Sequence, residues 1–394
     1  MPCESAPADG RDHHASQPTA RDRHTFHGKR VLVTGAAIDM SLLSPLLIRG
    51  LVPWRPSEVL SEKDLVRELD GAVAYLHGGE ERATEAALRA AAGTLKVVAF
   101  LGVGYENFVD VAAAERLGIV VTNTPGAATD SVATFAVGQI INANLRITRH
   151  LGRVVPEWSE GEELPNELSQ LKVGIIGLGA IGTRVAEMLR HTLGTRVAYY
   201  SRTRKPHVEV SLDMPYLPLH ELCEFSDALV IATPENGGTK SMVDSSVISR
   251  LRRGAILVNV ARPGIVDAEA LYNGMREDRV AVAVFDGFYG GDSYFGLRIR
   301  AEFPDRLLVT GHIASHTRQA MDRMTRSASG SAPAWSPPSA ARAWCRRATG
   351  SAWARPCTWR PCATGSPPAT SCWPSAPNSA PPTCGRSASR SPAR

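Results

Sequence analysis

The sequence predicts an α/β protein with two open parallel-sheet βα domains flanking a cleft, and three observations carry that reading. From Lys29 to about Arg326, short β-branched runs alternate with helical patterns, as parallel sheets with crossover helices require. The alternation occurs twice, and a long helical pattern separates the two series. A glycine-rich turn opens the second series directly behind an apolar run.

Taken in order, residues 1–28 are polar, rich in His, Asp, Arg and Pro, and hold no apolar stretch of the secretory kind. They read as a disordered lead or as the product of an over-early start codon. Strands are expected at Arg30–Thr34, Gly71–Leu76, Lys96–Phe100 and Ile119–Thr122, with helices such as Ala83–Ala92 and Val109–Arg116 between them. The long helix runs from about Asp130 to Arg146, and a polar loop with Trp158, Glu160, Glu162, Glu163 and Pro165 follows. The second series supplies strands at Lys172–Ile176, Arg196–Tyr200, Asp227–Ala232, Ala255–Val260, Val280–Phe285 and Leu307–Thr310. A cleft between two such domains is where cofactors and small substrates sit.

Composition breaks sharply near Thr325. From Ser327 to Arg394 there is no Leu, Ile, Val, Met, Phe, Tyr, Asp, Glu, Lys, His or Gln, yet five of the seven Cys and five of the seven Trp fall there. Without aliphatic side chains this stretch cannot offset its ordering entropy. Residues 327–394 are therefore expected to be disordered, and they read as GC-rich DNA translated out of frame. A Pro/Ser/Ala tail and a metal module are the rivals, but Cys357 and Cys362 match no zinc spacing and lack His or acidic partners, so no metal is expected.

The eight arginines of this tail, unmatched by any acid, more than account for the chain's formal charge of +5. The basicity thus gives no reason to expect a nucleic-acid partner. No run of 18 apolar residues points to a membrane. The body holds only Cys3 and Cys223, as suits a reducing cytoplasm.

Lys172-Val173-Gly174-Ile175-Ile176-Gly177-Leu178-Gly179-Ala180-Ile181-Gly182 is an apolar strand entering G-x-G-x-x-G. Gly177 permits the tight turn, Gly179 lets backbone approach a pyrophosphate, and Gly182 lets helix close on strand. Ile181, Val185, Met188 and Leu189 recur at helical spacing, so the turn delivers a helix N-terminus to phosphates. The second strand ends at Tyr200 without the acid that grips a ribose hydroxyl. Arg202, with Ser201, Thr203 or Arg204, could hold a 2′-phosphate instead, which favours NADP over NAD.

With these residues in view, the order of motifs resembles the D-isomer specific 2-hydroxyacid dehydrogenase family, which includes glyoxylate/hydroxypyruvate reductases, phosphoglycerate dehydrogenase and phosphite dehydrogenase. The matching stretches are Gly102–Asn107, Val121–Gly126, Gly177–Gly182, Leu257–Arg262 and Gly311–Ser315. The resemblance implies a flavodoxin-like substrate domain at 29–125 and a Rossmann NAD(P)-binding domain at 126–313. A return segment, cut short, would occupy 314–326. It implies that Arg262 binds the substrate's acid group and that His312 is the acid/base, while Val103 and Gly104 offer N–H groups to the substrate anion. The cofactor site it implies adds Ala180, Ile181, Thr233, Pro234, Val260 and Asp286 to the glycines and to Ser201, Arg202 and Thr203, with Arg262 and His312 reaching the nicotinamide. It further implies a homodimer acting on a small anionic substrate.

Three departures cluster at this site. Where the family places a glutamate beside the histidine, five residues after Asp286, this chain has Gly291, with Asp292 one residue late. Asp292 is the candidate to replace that glutamate through a shifted loop. Pro263 follows Arg262 where glycine is usual, and Gly311 precedes His312 where proline is usual. The leading expectation is reversible hydride transfer between NAD(P)(H) and a small 2-hydroxy or 2-oxo acid. The alternatives are a hydroxyphosphonate dehydrogenase and a dinucleotide-sensing corepressor without turnover.

Overall fold

Near-continuous apolar runs, the mark of strands covered on both faces, form the centre of each sheet. The computed structural model describes residues 27–151 and 164–332. β1 (Arg30–Val33), β2 (Val52–Trp54), β3 (Ala72–His77), β4 (Val97–Phe100) and β5 (Val120–Thr122) form a five-stranded sheet in the order β2-β1-β3-β4-β5. All its pairings are parallel. Helices α1 (Glu62–Leu69), α2 (Glu85–Ala90) and α3 (Val111–Arg116) each start on a side chain, that of Ser61, Thr84 or Asp110, which accepts the N–H of Asp64, Ala87 or Ala113 in the first turn.

β6 (Lys172–Ile176), β7 (Arg196–Tyr200), β8 (Ala228–Ile231), β9 (Ala255–Asn259), β10 (Val280–Asp286) and β11 (Leu307–Thr310) make the second parallel sheet, in the order β11-β10-β9-β8-β6-β7. Strand order reverses between β6 and β8, so chain leaves their carboxyl ends in opposite directions and opens a crevice there. The long helix α4 (Thr129–Leu145) joins this sheet's core. Its Val132, Ala136 and Ile140 share one apolar cluster with Val185 and Leu189 of α5 (Ala180–Leu193).

The ten strands expected from sequence lie within one residue of these bounds at either end. β2 has no counterpart among them. Three residues with Pro53 in the middle carry no readable period, and proline is tolerated because β2 is a sheet edge. The expected boundaries of disorder also need correction. At the start, the Gly28 N–H donates to Gly71 O at 2.9 Å, so residue 28 is already tied to the first sheet.

At the other end, helix α7 (Arg318–Gly330), which follows α6 (Tyr294–Glu302), runs past Arg326 and buries Ala328 and Ser329. Ala320, Met321, Met324, Ala328 and Ala332 fill the core of the first sheet beside Leu43 and Leu46. Alanine and serine sustain that last turn because they are adequate helix formers and the contact there is too close for bulk. The Arg49 guanidinium donates to Ser329 O and Ala332 O at 3.1 and 2.8 Å, ending the helix on a cation. The remainder of the lead (1–26), the loop around Trp158 and the tail from residue 333 lie outside the described residues. No helix among the described residues is long and apolar enough to cross a membrane.

Candidate active site

The glycine turn sits at the reversal point of the second sheet. Gly177 follows β6 with φ +96°, and a Cβ there would meet Ala232 O at 2.7 Å and Thr233 Cβ at 3.0 Å. Those residues and Pro234 are the chain leaving β8, so the turn and the Thr233-Pro234 step face each other across the crevice. At Gly182 a Cβ would collide with the Gly177 carbonyl. Gly179 differs from both, because nothing lies within 4 Å of a Cβ built on it.

Gly179 is also the N-cap of α5 and supplies no capping side chain. The first N–H groups of the helix, at Ala180, Ile181 and Gly182, therefore have no intrahelical acceptor. Uncapped donors behind an open cradle suit an anion, and they fit the diphosphate of a dinucleotide. At the end of β7, the Ser201 hydroxyl donates to Thr203 O at 2.6 Å. Arg204 is engaged by Glu209 at 2.6 Å and lies 5.3 Å above the Tyr216 ring. Arg202 is exposed and has no partner among the described residues.

Two strand ends across the same crevice supply Arg262 and His312. Val260 is buried beyond β9, and Arg262 follows in extended conformation as the N-cap of the short turn Pro263–Ile265. Pro263 suits that first turn position because its fixed φ is already helical. The Arg262 guanidinium bridges the two sheets. Its Nη1 is 3.5 Å from His312 Nε2, and its Nη2 would stand 2.9 Å from a Cβ on Gly104. Burial pulls the guanidinium pKa down, and the carboxylates of Glu235, Asp286 and Glu106 oppose that pull. At neutral pH it remains a cation.

From the first sheet, the loop after β4 reaches this cation. Asn123 Nδ2–H donates to Val103 O at 3.1 Å and Gly102 N–H to Thr124 Oγ1 at 3.0 Å, which fixes the loop against the Asn123-Thr124 step. The N–H groups of Val103 and Gly104 are engaged by no described residue. Arg262, His312, Val103 and Gly104, chosen from sequence for distant motifs, thus converge on one point.

His312 adopts φ +58°, a left-handed conformation that costs an L-residue about 1–2 kcal/mol. Its Nδ1 lies 3.2 Å from the backbone carbonyl of Asp286 and 3.9 Å from that residue's Oδ2. The Asp286 carboxylate, only 3% exposed, accepts from Thr310 Oγ1–H and Ile313 N–H at 2.7 Å each and from Ala314 N–H at 2.9 Å. Hydrogen bonds to a charged group contribute roughly 1.5–3 kcal/mol each, so three of them outweigh the strain at His312. A hydrogen on Nδ1 would point at the Asp286 carbonyl, which leaves Nε2 facing Arg262 and the groove.

Asp292 is not brought against His312. It is exposed, its Oδ1 lies over Gly290, and it makes no hydrogen bond or ion pair with His312. The reason lies in the loop after Asp286. Phe288 packs edge-on to Phe285 with centroids 5.1 Å apart, and the Tyr289 hydroxyl donates to Val266 O at 2.7 Å. Burial raises the Tyr289 pKa, so that donor persists through ordinary pH. Both rings turn the loop into the sheet's core and carry Asp292 away, to just before Ser293, the N-cap of α6. His316 is exposed, with Nδ1 3.4 Å from Ser315 Oγ. Sequence reasoning did not single out Thr310 or Glu235, because neither residue type nor spacing marks a hydroxyl or carboxylate that acts from a neighbouring strand.

Residues 137–314 match the NAD binding domain of the D-isomer specific 2-hydroxyacid dehydrogenases. Over 281 residues the chain is 36% identical to a glyoxylate reductase of Thermococcus gammatolerans, covering 68% of this chain and 80% of that enzyme. A crystal structure of a protein from Thermus thermophilus superposes with a TM-score of 0.68 at 30% identity, over 77% of this chain and 95% of the other. A putative D-isomer specific 2-hydroxyacid dehydrogenase of Polaromonas superposes with a TM-score of 0.66 at 26% identity, over 75% and 93% of the two chains. With the crevice, the anion cradle and the Arg262–His312 pair already in place, the chain belongs to the D-isomer specific 2-hydroxyacid dehydrogenases, enzymes that depend on NAD(P).

Proposed function

We propose that the protein reduces a small 2-oxo acid, glyoxylate or hydroxypyruvate, with NADPH preferred over NADH. The observation that carries this reading is the Arg262 guanidinium set between His312 Nε2 and the Gly104 backbone. Its fork and the free N–H groups of Val103 and Gly104 can hold a carboxylate while a second N–H polarises the neighbouring carbonyl. A reduced nicotinamide held at the glycine turn would supply the hydride to the carbonyl carbon. His312, with Nδ1–H donated to Asp286 O, gives the Nε2 proton to the oxygen, and in the reverse direction Nε2 takes it back.

The preference for NADPH rests on Arg202, the exposed cation free to meet a 2′-phosphate where no acid stands after β7. Asp286, whose oxygens are spent on the turn around His312, acts in this reading more on the histidine than on the cofactor. A cytoplasmic homodimer completes the proposal, in keeping with the family resemblance. No observation favours the hydroxyphosphonate or corepressor alternatives. The test is to follow absorbance of the reduced nicotinamide with NADPH or NADH and glyoxylate or hydroxypyruvate. Turnover faster with NADPH, and lost in Arg262→Ala, is expected. Dinucleotide binding with no turnover on either acid would overturn the proposal.

A further inference from the structure

We propose that Thr310 is a positioning residue for proton transfer, setting the aim of His312 through the Asp286 carboxylate; the proposal rests on the reading of His312 as the acid/base. Thr310 is the last residue of β11 and pairs with Asp286, the last residue of β10. Its Oγ1–H donates to Asp286 Oδ1 at 2.7 Å and also lies 3.4 Å from Phe285 O. The same Oδ1 accepts from Ile313 N–H, and Oδ2 accepts from Ala314 N–H. One buried carboxylate thereby joins the residue two before His312 to the two residues after it.

His312 needs that clamp more than an ordinary loop residue would. It sits in the left-handed region at φ +58°, its imidazole is held by a 3.2 Å contact to the Asp286 carbonyl and a 3.5 Å contact to Arg262 Nη1, and its side chain is 47% exposed. No carboxylate closer than the 3.9 Å of Asp286 Oδ2 steadies the ring among the described residues. Gly311, between Thr310 and His312, has open space around it and no side chain to stiffen the turn. Free rotation at Gly311 would let the left-handed turn relax once the carboxylate lost its orientation. The hydroxyl of Thr310 is the donor that reaches the carboxylate from the strand rather than from the turn. It anchors the clamp to the sheet.

The experiment compares Thr310→Val, Thr310→Ser and Gly311→Ala, alone and combined, in the full chain with NADPH and glyoxylate. Thr310→Val is expected to lower kcat about tenfold, with KM for glyoxylate and Kd for NADPH changed less than twofold, because aim rather than binding is lost. Thr310→Ser, which keeps the hydroxyl, should stay within about twofold of the parent. Gly311→Ala in the Thr310→Val background should recover part of the loss by stiffening the turn.

The His312→Ala background separates this proposal from the functional reading. There, Thr310→Val should cost nothing further, since no imidazole remains to be aimed. If His312→Ala itself leaves turnover intact, the acid/base reading fails. If His312→Ala is inactive but Thr310→Val alters kcat, KM and Kd in parallel, or leaves kcat unchanged, the positioning role fails. Should Thr310→Val not fold, Thr310→Ala at the half-buried end of this edge strand is read by the same split, with the same outcomes deciding.

Discussion

Two turns at the mouth of the second sheet do comparable work by different means. The turn from Gly177 to Gly182 is contiguous, and backbone geometry sets its form: a positive φ at Gly177, a helix closing on strand at Gly182, and an open cradle at Gly179. The turn around His312 is assembled from the ends of β10 and β11 by side-chain hydrogen bonds to Asp286. The first depends on glycine at Gly177 and Gly182, where a Cβ would run into backbone. The second depends on a carboxylate and its donors, so it tolerates a glycine at position 311 where the family resemblance leads one to expect proline. The comparison teaches that the glycine cradle is encoded locally, whereas the geometry around His312 is encoded across strands.

The largest effect should come from breaking the second turn at its centre. His312→Ala is expected to lower kcat by about 10²–10⁴, the usual worth of a positioned acid/base, with NADPH affinity preserved; steady-state kinetics and a binding titration check both. The first turn should break differently at its different glycines. Gly179→Val should fold with an unchanged melting temperature, since a Cβ there meets nothing within 4 Å. It should nonetheless weaken dinucleotide binding by about 100-fold, because the side chain would occupy the cradle. Gly182→Ala should instead lower the melting temperature, since its Cβ would run into the Gly177 carbonyl. Equal melting temperatures for these two variants would show that the contacts described for the turn are wrong.

A smaller effect should come from Arg202. Arg202→Ala is expected to raise KM for NADPH by about tenfold, as loss of a charge-assisted hydrogen bond of about 1.5 kcal/mol implies, while KM for NADH stays put. Arg204→Ala should do less to that ratio, because its guanidinium already serves Glu209. The smallest effect concerns the sheet beneath the glycine turn, where Cys223 packs with Ile176 and Ala198. Burial pushes its thiol pKa up to about 12 from 9.0.

A folded-state pKa above the unfolded value means that this thiol contributes stability in full below the unfolded pKa, near pH 9. That contribution is lost as pH rises toward 12. At pH 8 an alkylating reagent should therefore spare Cys223 in the native protein and modify it after denaturation, as peptide mass mapping would read. Rapid native labelling would place this residue outside the core.

The sequence by itself determined both sheets and the cofactor turn. Apolar runs of strand length placed ten of the eleven strands within a residue, because strands covered on both faces must be apolar whatever their neighbours. It missed β2, where three residues and an edge position leave no pattern. It also ended the last helix too early, because a close helix contact can be filled by alanine as well as by leucine. Arg262 and His312 were legible through their motifs, but the partner of His312 was not. Asp292 was the acid nearest position 291, where the family resemblance places a glutamate, yet Phe288 and Tyr289 prefer the core and pull that loop away from the imidazole. Only the tertiary structure could decide that Asp286 and Thr310 hold the turn. A hydrogen bond between strand ends depends on sheet register, and register is set by packing on both faces rather than by spacing along the chain.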